Sequence, residues 1–200
     1  MTQAKSAERS AAPETFERFD EARAAAVAVR LATMMGLYQR EAGSSIQPAT
    51  LDAVAAAAAR SGIGDTSTPA GQAPRRRRPA AALLEALETS PLPEAEIRST
   101  AAAIGWERLA ELSGASLPSL RRYAGGTRST PDPVAHRVHF LARVLATLAG
   151  SYNEFGARRW LERPRVALGG RAPASLLRGD WDPDDDGPRQ VRELAEALLA

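Results

Sequence analysis

The residues that invite a chemical reading are few, and they fall in two places. The stretch Asp182 to Glu193 puts Asp182, Asp184, Asp186, Gly187 and Glu193 at the spacing of a calcium-binding EF-hand loop, with oxygen donors around a turn glycine. Its surroundings argue the other way. Arg189 stands where such loops carry an apolar residue, Pro183 and Pro188 stiffen the backbone, and no second loop accompanies it. Aspartates gathered ahead of a helix also satisfy its N-terminal amides and dipole, and that is the reading preferred here, with no metal bound. His136 and His139 stand three apart on one helix, a spacing usable for a metal, with only Asp132 near in sequence. They read as surface or packing histidines. The chain has no glycine-rich phosphate loop, no nucleophile elbow and no convergent carboxylate pair, so neither catalysis nor a cofactor has support from its residues.

The second place is W-E-R-L-A-E-L-S-G-A-S-L-P-S-L-R-R-Y, residues 106–123, which has the layout of a helix-turn-helix. Ala110 supplies the small residue where two steeply crossed helices approach. Gly114 suits a turn through positive φ. Ser116 is a favoured N-cap, and Pro118 is tolerated in the first turn that follows. With Leu109, Leu112, Ala115, Leu120 and Tyr123 turned inward, the outer face carries Ser116, Leu117, Ser119, Arg121 and Arg122, and Arg128 follows in the next loop. These six are the candidate DNA-binding residues: Arg121 and Arg122 reach phosphates or guanine edges, and Arg128 adds another backbone contact. The bland alternative is a helical hairpin whose arginines are merely solvated.

These positions need helices to hold them, and the composition supplies helix formers. The 200 residues are 44% hydrophobic but only 5% aromatic, rich in alanine and without cysteine. A disulfide scaffold, a zinc ribbon and a cysteine nucleophile are therefore excluded. No segment of about 20 apolar residues could span a bilayer. Met1 to Ala12 lacks the pattern of a signal peptide, so a cytoplasmic protein without membrane association is expected. Net charge is +2 but uneven: residues 97–178 hold thirteen arginines against five acids, or +8, whereas 179–200 hold seven acids against two arginines, or −5. Two surfaces with different partners follow from that asymmetry.

No stretch alternates with period two, so the fold class is all-α. A first helix spans about Glu14 to Arg40, its face marked by Val27, Leu31, Met34 and Tyr38 and its end by Gly43-Ser44-Ser45. A second runs from Pro48 through Arg60. Together they form an N-terminal helical extension, residues 1–60, with too little apolar surface for its own core; self-association is one use for it. Residues 61–79 read as a linker holding Arg75-Arg76-Arg77-Arg78, either an arm that touches phosphates or a self-repelling spacer. Residues 80–150 form a helix-turn-helix bundle: helices over 80–89, 94–104, 106–112, 116–123 and 133–149. The last carries a seam of Val134, Val138, Leu141, Leu145 and Leu148. Residues 151–200 form a small helical subdomain, with a helix over 154–161 anchored by Phe155 and Trp160, a turn at 168–170, a short helix from Pro173 and a final helix over 188–199.

Within that last segment, Trp160, Leu161, Pro164, Leu168, Gly169, Gly170, Arg171, Pro173, Leu176 and Leu177 resemble the signature of the toxin-binding domain of the Xre/MbcA/ParS antitoxins. That family also places a small helical Xre-type domain upstream, so the resemblance covers about residues 94–200. It implies an antitoxin of a type II toxin–antitoxin pair, not itself an enzyme, whose partner is a RES-domain toxin that consumes NAD⁺. It also implies repression of the pair's own operator DNA, as a homodimer or a toxin–antitoxin hetero-oligomer. On that resemblance the toxin-binding residues are Trp160, Arg165, Gly169, Gly170, Arg171 and Arg178. Three departures stand out: Arg165 replaces a common asparagine, Asp180 to Gly187 form a longer acidic loop, and no further tail follows Ala200. A helical cover over the toxin, rather than a plugging tail, is what remains implied. The alternatives are a stand-alone helix-turn-helix regulator with a C-terminal protein-interaction domain, and a satellite subdomain that merely packs on helix 133–149.

Overall fold

The computed structural model describes Phe16 and residues 18–41, 43–64 and 79–199. Among these the secondary structure is helical, with one isolated bridge between Arg165 and Arg171 and no strand. The helices are α1 Phe19–Met34, α2 Pro48–Arg60, α3 Ala80–Glu88, α4 Pro93–Ile104, α5 Trp106–Ser113, α6 Leu117–Ala124, α7 Asp132–Leu148, α8 Glu154–Glu162 and α9 Asp186–Glu196. The all-α expectation holds. The tetra-arginine run at 75–78 lies outside the described residues.

α7 is the axis of the fold. The spacing of its apolar residues reads as one seam, yet the helix is buried on almost every side, including Val138, Phe140, Ala142, Val144 and Ala146. A helix so enclosed must have neighbours all round. Val138, Leu141, Leu145 and Leu148 join Ile97, Leu109, Leu112, Leu120, Trp160 and Trp181 in one core. On another side Ala142 and Ala146 let α1 come close, and they belong to a second cluster with Val29, Leu31, Met35, Leu51, Val54, Leu83 and Leu87. The small side chains matter here, because they allow backbones to approach without leaving voids. The apolar face of α1 is thus taken up by α3 and α7 within the chain, and α9 closes the far side of α7.

α1 stops earlier than its periodicity suggests. Gly36 takes φ +72°, the Leu37 amide donates to the Ala32 carbonyl at 2.9 Å, and the Gly36 amide donates to Thr33 at 3.1 Å. This pair of bonds is the Schellman closure, and it places an apolar residue just past the glycine. Gly36 therefore ends α1, not Gly43, and Tyr38 lies half-buried beyond the helix instead of on its face. The same closure ends α2 at Gly62, where Ile63 is buried and belongs to the second cluster instead of to a linker.

Candidate nucleic-acid and protein-docking faces

α5 and α6 meet at a turn whose local chemistry matches its sequence. Gly114 adopts φ +71°, ψ 15°, the left-handed region where other residues are strained. Ser116 caps α6, its hydroxyl accepting from the Ser119 amide at 3.3 Å. Leu109, Leu112, Leu120 and Tyr123 are buried and Ala115 half-buried, as their spacing requires. Ser116, Arg121, Arg122 and Arg128 are exposed, and Leu117 and Ser119 half-exposed. Arg128 lies 5.8 Å over the Tyr123 ring. Among the described residues no carboxylate sits within ion-pairing distance of Arg121, Arg122 or Arg128. The face is positive and uncompensated.

The C-terminal residues divide into anchors and presenters. Asn153 caps α8 by accepting from the Gly156 amide at 2.8 Å. Trp160, expected on the toxin-facing surface, is only 2% exposed. Packed into the core, it cannot touch a partner; it is a floor, with the Arg165 guanidinium 5.4 Å over its ring. From there the chain makes a closed loop. The Arg165 amide donates to the Arg171 carbonyl and the Gly170 amide to Arg165, both at 2.9 Å, while Gly169 and Gly170 turn through φ +64° and +81°. Leu168 is buried beneath, and Arg171 Nε donates to the Leu168 carbonyl at 3.1 Å. At the tip Val166 stands 97% exposed.

A valine so bare on a loop so fully bonded is not a fraying accident, and its sequence gave no warning of it. The structure therefore brings Arg165, Gly169, Gly170 and Arg171 together on one loop. Arg178 stands apart, its Nε 2.8 Å from Glu111 Oε1 on α5. Phe155, read as an anchor, is instead 68% exposed on α8.

Sequence reasoning also missed the clamp that joins the C-terminal segment to the α5–α6 turn. Arg137, on α7 and 9% exposed, donates from Nε to the Trp181 carbonyl at 2.6 Å and from Nη1 to the Ser113 carbonyl at 3.4 Å, and pairs through Nη2 with Asp180. Trp181 Nε1 donates to the Leu112 carbonyl at 2.9 Å, and its ring meets Phe140 edge to face at 5.3 Å. The last carbonyls of α5, which no helical amide reaches, are thus satisfied by side chains from two other segments. An interleaved arginine and a lone tryptophan carry no spacing signature, which is why they could not be singled out.

The two histidines do not act together. His136 is exposed, whereas His139 is buried, its Nε2 donating to the Glu88 carbonyl at 2.8 Å and its Nδ1 hydrogen-bonded with Glu96 Oε1 at 2.7 Å. In the acidic loop the Asp184 amide donates to Asp182 Oδ1 at 3.0 Å, the Asp182 amide to Asp185 Oδ2 at 2.8 Å, and Asp186 opens α9 while pairing with Arg189. These carboxylates organise a turn. Among the described residues no three His, Asp or Glu side chains are grouped to hold a metal ion, and no helix is long and apolar enough to cross a membrane. Comparison of the chain with models of known protein families, with curated proteins and with solved structures finds no match.

Proposed function

We propose that this chain is a non-enzymatic antitoxin: a helical protein that docks on a toxin through its C-terminal loop and contacts operator DNA through a helix-turn-helix made by α5 and α6. The observation that carries the docking half is the 165–171 loop. Preorganised backbone lowers the entropy lost on binding, and an exposed apolar side chain between arginines makes a compact anchor with a polar rim. Its likeness to the Xre/MbcA/ParS signature supplies the partner class, a RES-type, NAD⁺-consuming toxin. Arg165, Gly169, Gly170 and Arg171 form the contact with Val166 at its centre, Trp160 supports it from below, and Arg178 joins it by releasing Glu111. The DNA half rests on the uncompensated Arg121, Arg122 and Arg128 beside the capped start of α6. A cytoplasmic location follows from both roles.

The test is co-expression of the chain with the product of the adjoining gene. The wild type should rescue growth and co-purify with that product; Val166→Asp and Arg171→Glu should fold normally and lose both properties. Rescue by the double variant would overturn the docking assignment. A stand-alone regulator is the second reading, favoured by the free arginines of α6. It requires operator binding without any partner, with Arg121→Ala and Arg122→Ala each reducing the salt slope by about 1. Promoter binding untouched by both changes would remove α6 from the interface.

A further inference from the structure

A cavity of about 260 Å³ lies between α1, the last turns of α7 and the segment that follows α1, and the docking and DNA faces make no use of it. Its floor is apolar: Met34 from α1, Leu145 and Ala146 from α7, and Ala149 just past the end of α7. Its rim carries Arg30, Arg40 and Glu41. Arg30 is half-buried, and its head lies over Gly150; a Cβ there would come within 2.7 Å of Nη1, so the missing side chain leaves room for the guanidinium. Among the described residues neither arginine has a carboxylate within ion-pairing distance, Glu41 included. Burial first, and then the charge of Arg40, push the Arg30 guanidinium below the usual arginine range. Two like charges thus line one opening, with Glu41 beside them but not ion-paired to either. Holding two such groups together costs free energy that an anion would return.

We infer that this cavity is a binding site for a small amphipathic monoanion, a carboxylate held by Arg30 and Arg40 with its hydrocarbon body on Met34, Leu145 and Ala149. The charges fix the valence: two arginines and Glu41 leave +1, which a carboxylate balances and a doubly charged phosphate exceeds. The space of about 260 Å³ is open to solvent on one side, so it accommodates a short-chain acid such as a six-carbon one without setting its length. The apolar floor excludes fully hydrated anions, which would be stripped of water there without compensation.

The probe is sodium hexanoate, titrated into the full chain carrying methyl-labelled methionine. Hexanamide serves as the neutral isostere and inorganic phosphate, at matched ionic strength, as the anion without a body. Met34 lines the cavity, whereas Met35 is buried in the second cluster and reports on global change. Hexanoate should shift the Met34 methyl saturably and leave Met35 nearly still; hexanamide should bind about tenfold more weakly, and phosphate should not move Met34. Arg40→Gln, an exposed change outside any helix, should melt like the wild type and reduce hexanoate affinity to that of hexanamide. Arg30→Gln should do the same. Equal binding of hexanoate and hexanamide, an Arg40→Gln protein with undiminished affinity, a phosphate response at Met34, or a Met34 methyl that never shifts would each overturn the assignment.

Discussion

Replacing Trp181 by alanine should loosen the C-terminal segment from the α5–α6 turn, and the size of the effect follows from what the ring touches. The side chain is 5% exposed, meets Phe140 edge to face at 5.3 Å and 71°, and donates its only N–H to the Leu112 carbonyl at 2.9 Å. Truncating a buried tryptophan costs about 3–5 kcal/mol, of which the aromatic pair is about 0.5–1.5 and the orphaned carbonyl about 1–3. For a chain of this length each kcal/mol moves the midpoint by about 2–4 °C, so Tm should fall by roughly 6–20 °C. Trp181→Phe keeps most of the packing and loses the N–H, and should cost only about 1–3 kcal/mol. The assay is urea unfolding followed by far-UV circular dichroism, which does not depend on the tryptophan removed. The ordering alanine, then phenylalanine, then wild type is the signature. An alanine variant within about 1 kcal/mol of wild type would refute the reasoning, because a buried aromatic clamp cannot be that cheap.

Gly114→Ala should destabilise by at least about 1–2 kcal/mol, since φ is +71° and the new methyl would meet Arg137 Nη1 at 2.9 Å; thermal unfolding checks it. Ser116→Ala removes the cap of α6 and should cost about 1 kcal/mol in the same measurement. Burial lifts the Glu196 carboxyl above the ordinary glutamate range. The folded state therefore holds that proton more tightly than the unfolded chain, and stability should decline as pH rises from the ordinary glutamate value through the raised one. Glu196→Gln should flatten that part of a stability-against-pH curve; an unchanged slope would contradict it. Val166→Asp should leave unfolding within about 0.5 kcal/mol of wild type, because the side chain packs on nothing.

The fold was legible where local chemistry decides it. Ser116, Gly114 and the leucines of α5 and α6 announce their positions, because caps, positive φ and helical period act over a few residues. α2, α4 and α7 fall within a residue or two of where their prolines and apolar repeats put them. The end of α1 is less legible, because Gly36 followed by an apolar residue and the Gly-Ser-Ser run downstream are both helix-stop signals, and only the bonds of the folded chain show that Gly36 acts. The proposed docking site was half legible. The glycine-arginine core of the 165–171 loop is a local pattern, but which apolar residue it hides and which it shows depends on distant packing. Trp160 goes in and Val166 comes out because the core offers Trp160 a place beside Leu161 and gives Val166 none. Arg137 illustrates the same limit: an arginine in a charged chain reads as solvated until Ser113, Asp180 and Trp181 are seen around it.

The most direct trial of the account is the affinity of the purified chain for the purified product of its neighbouring gene, compared across wild type, Val166→Asp and an exposed control such as Arg189→Ala. The account predicts a tight complex for wild type and the control, and a loss of at least about a hundredfold for Val166→Asp with the melting curve unchanged. Equal affinity for all three, or no complex at all, would contradict it.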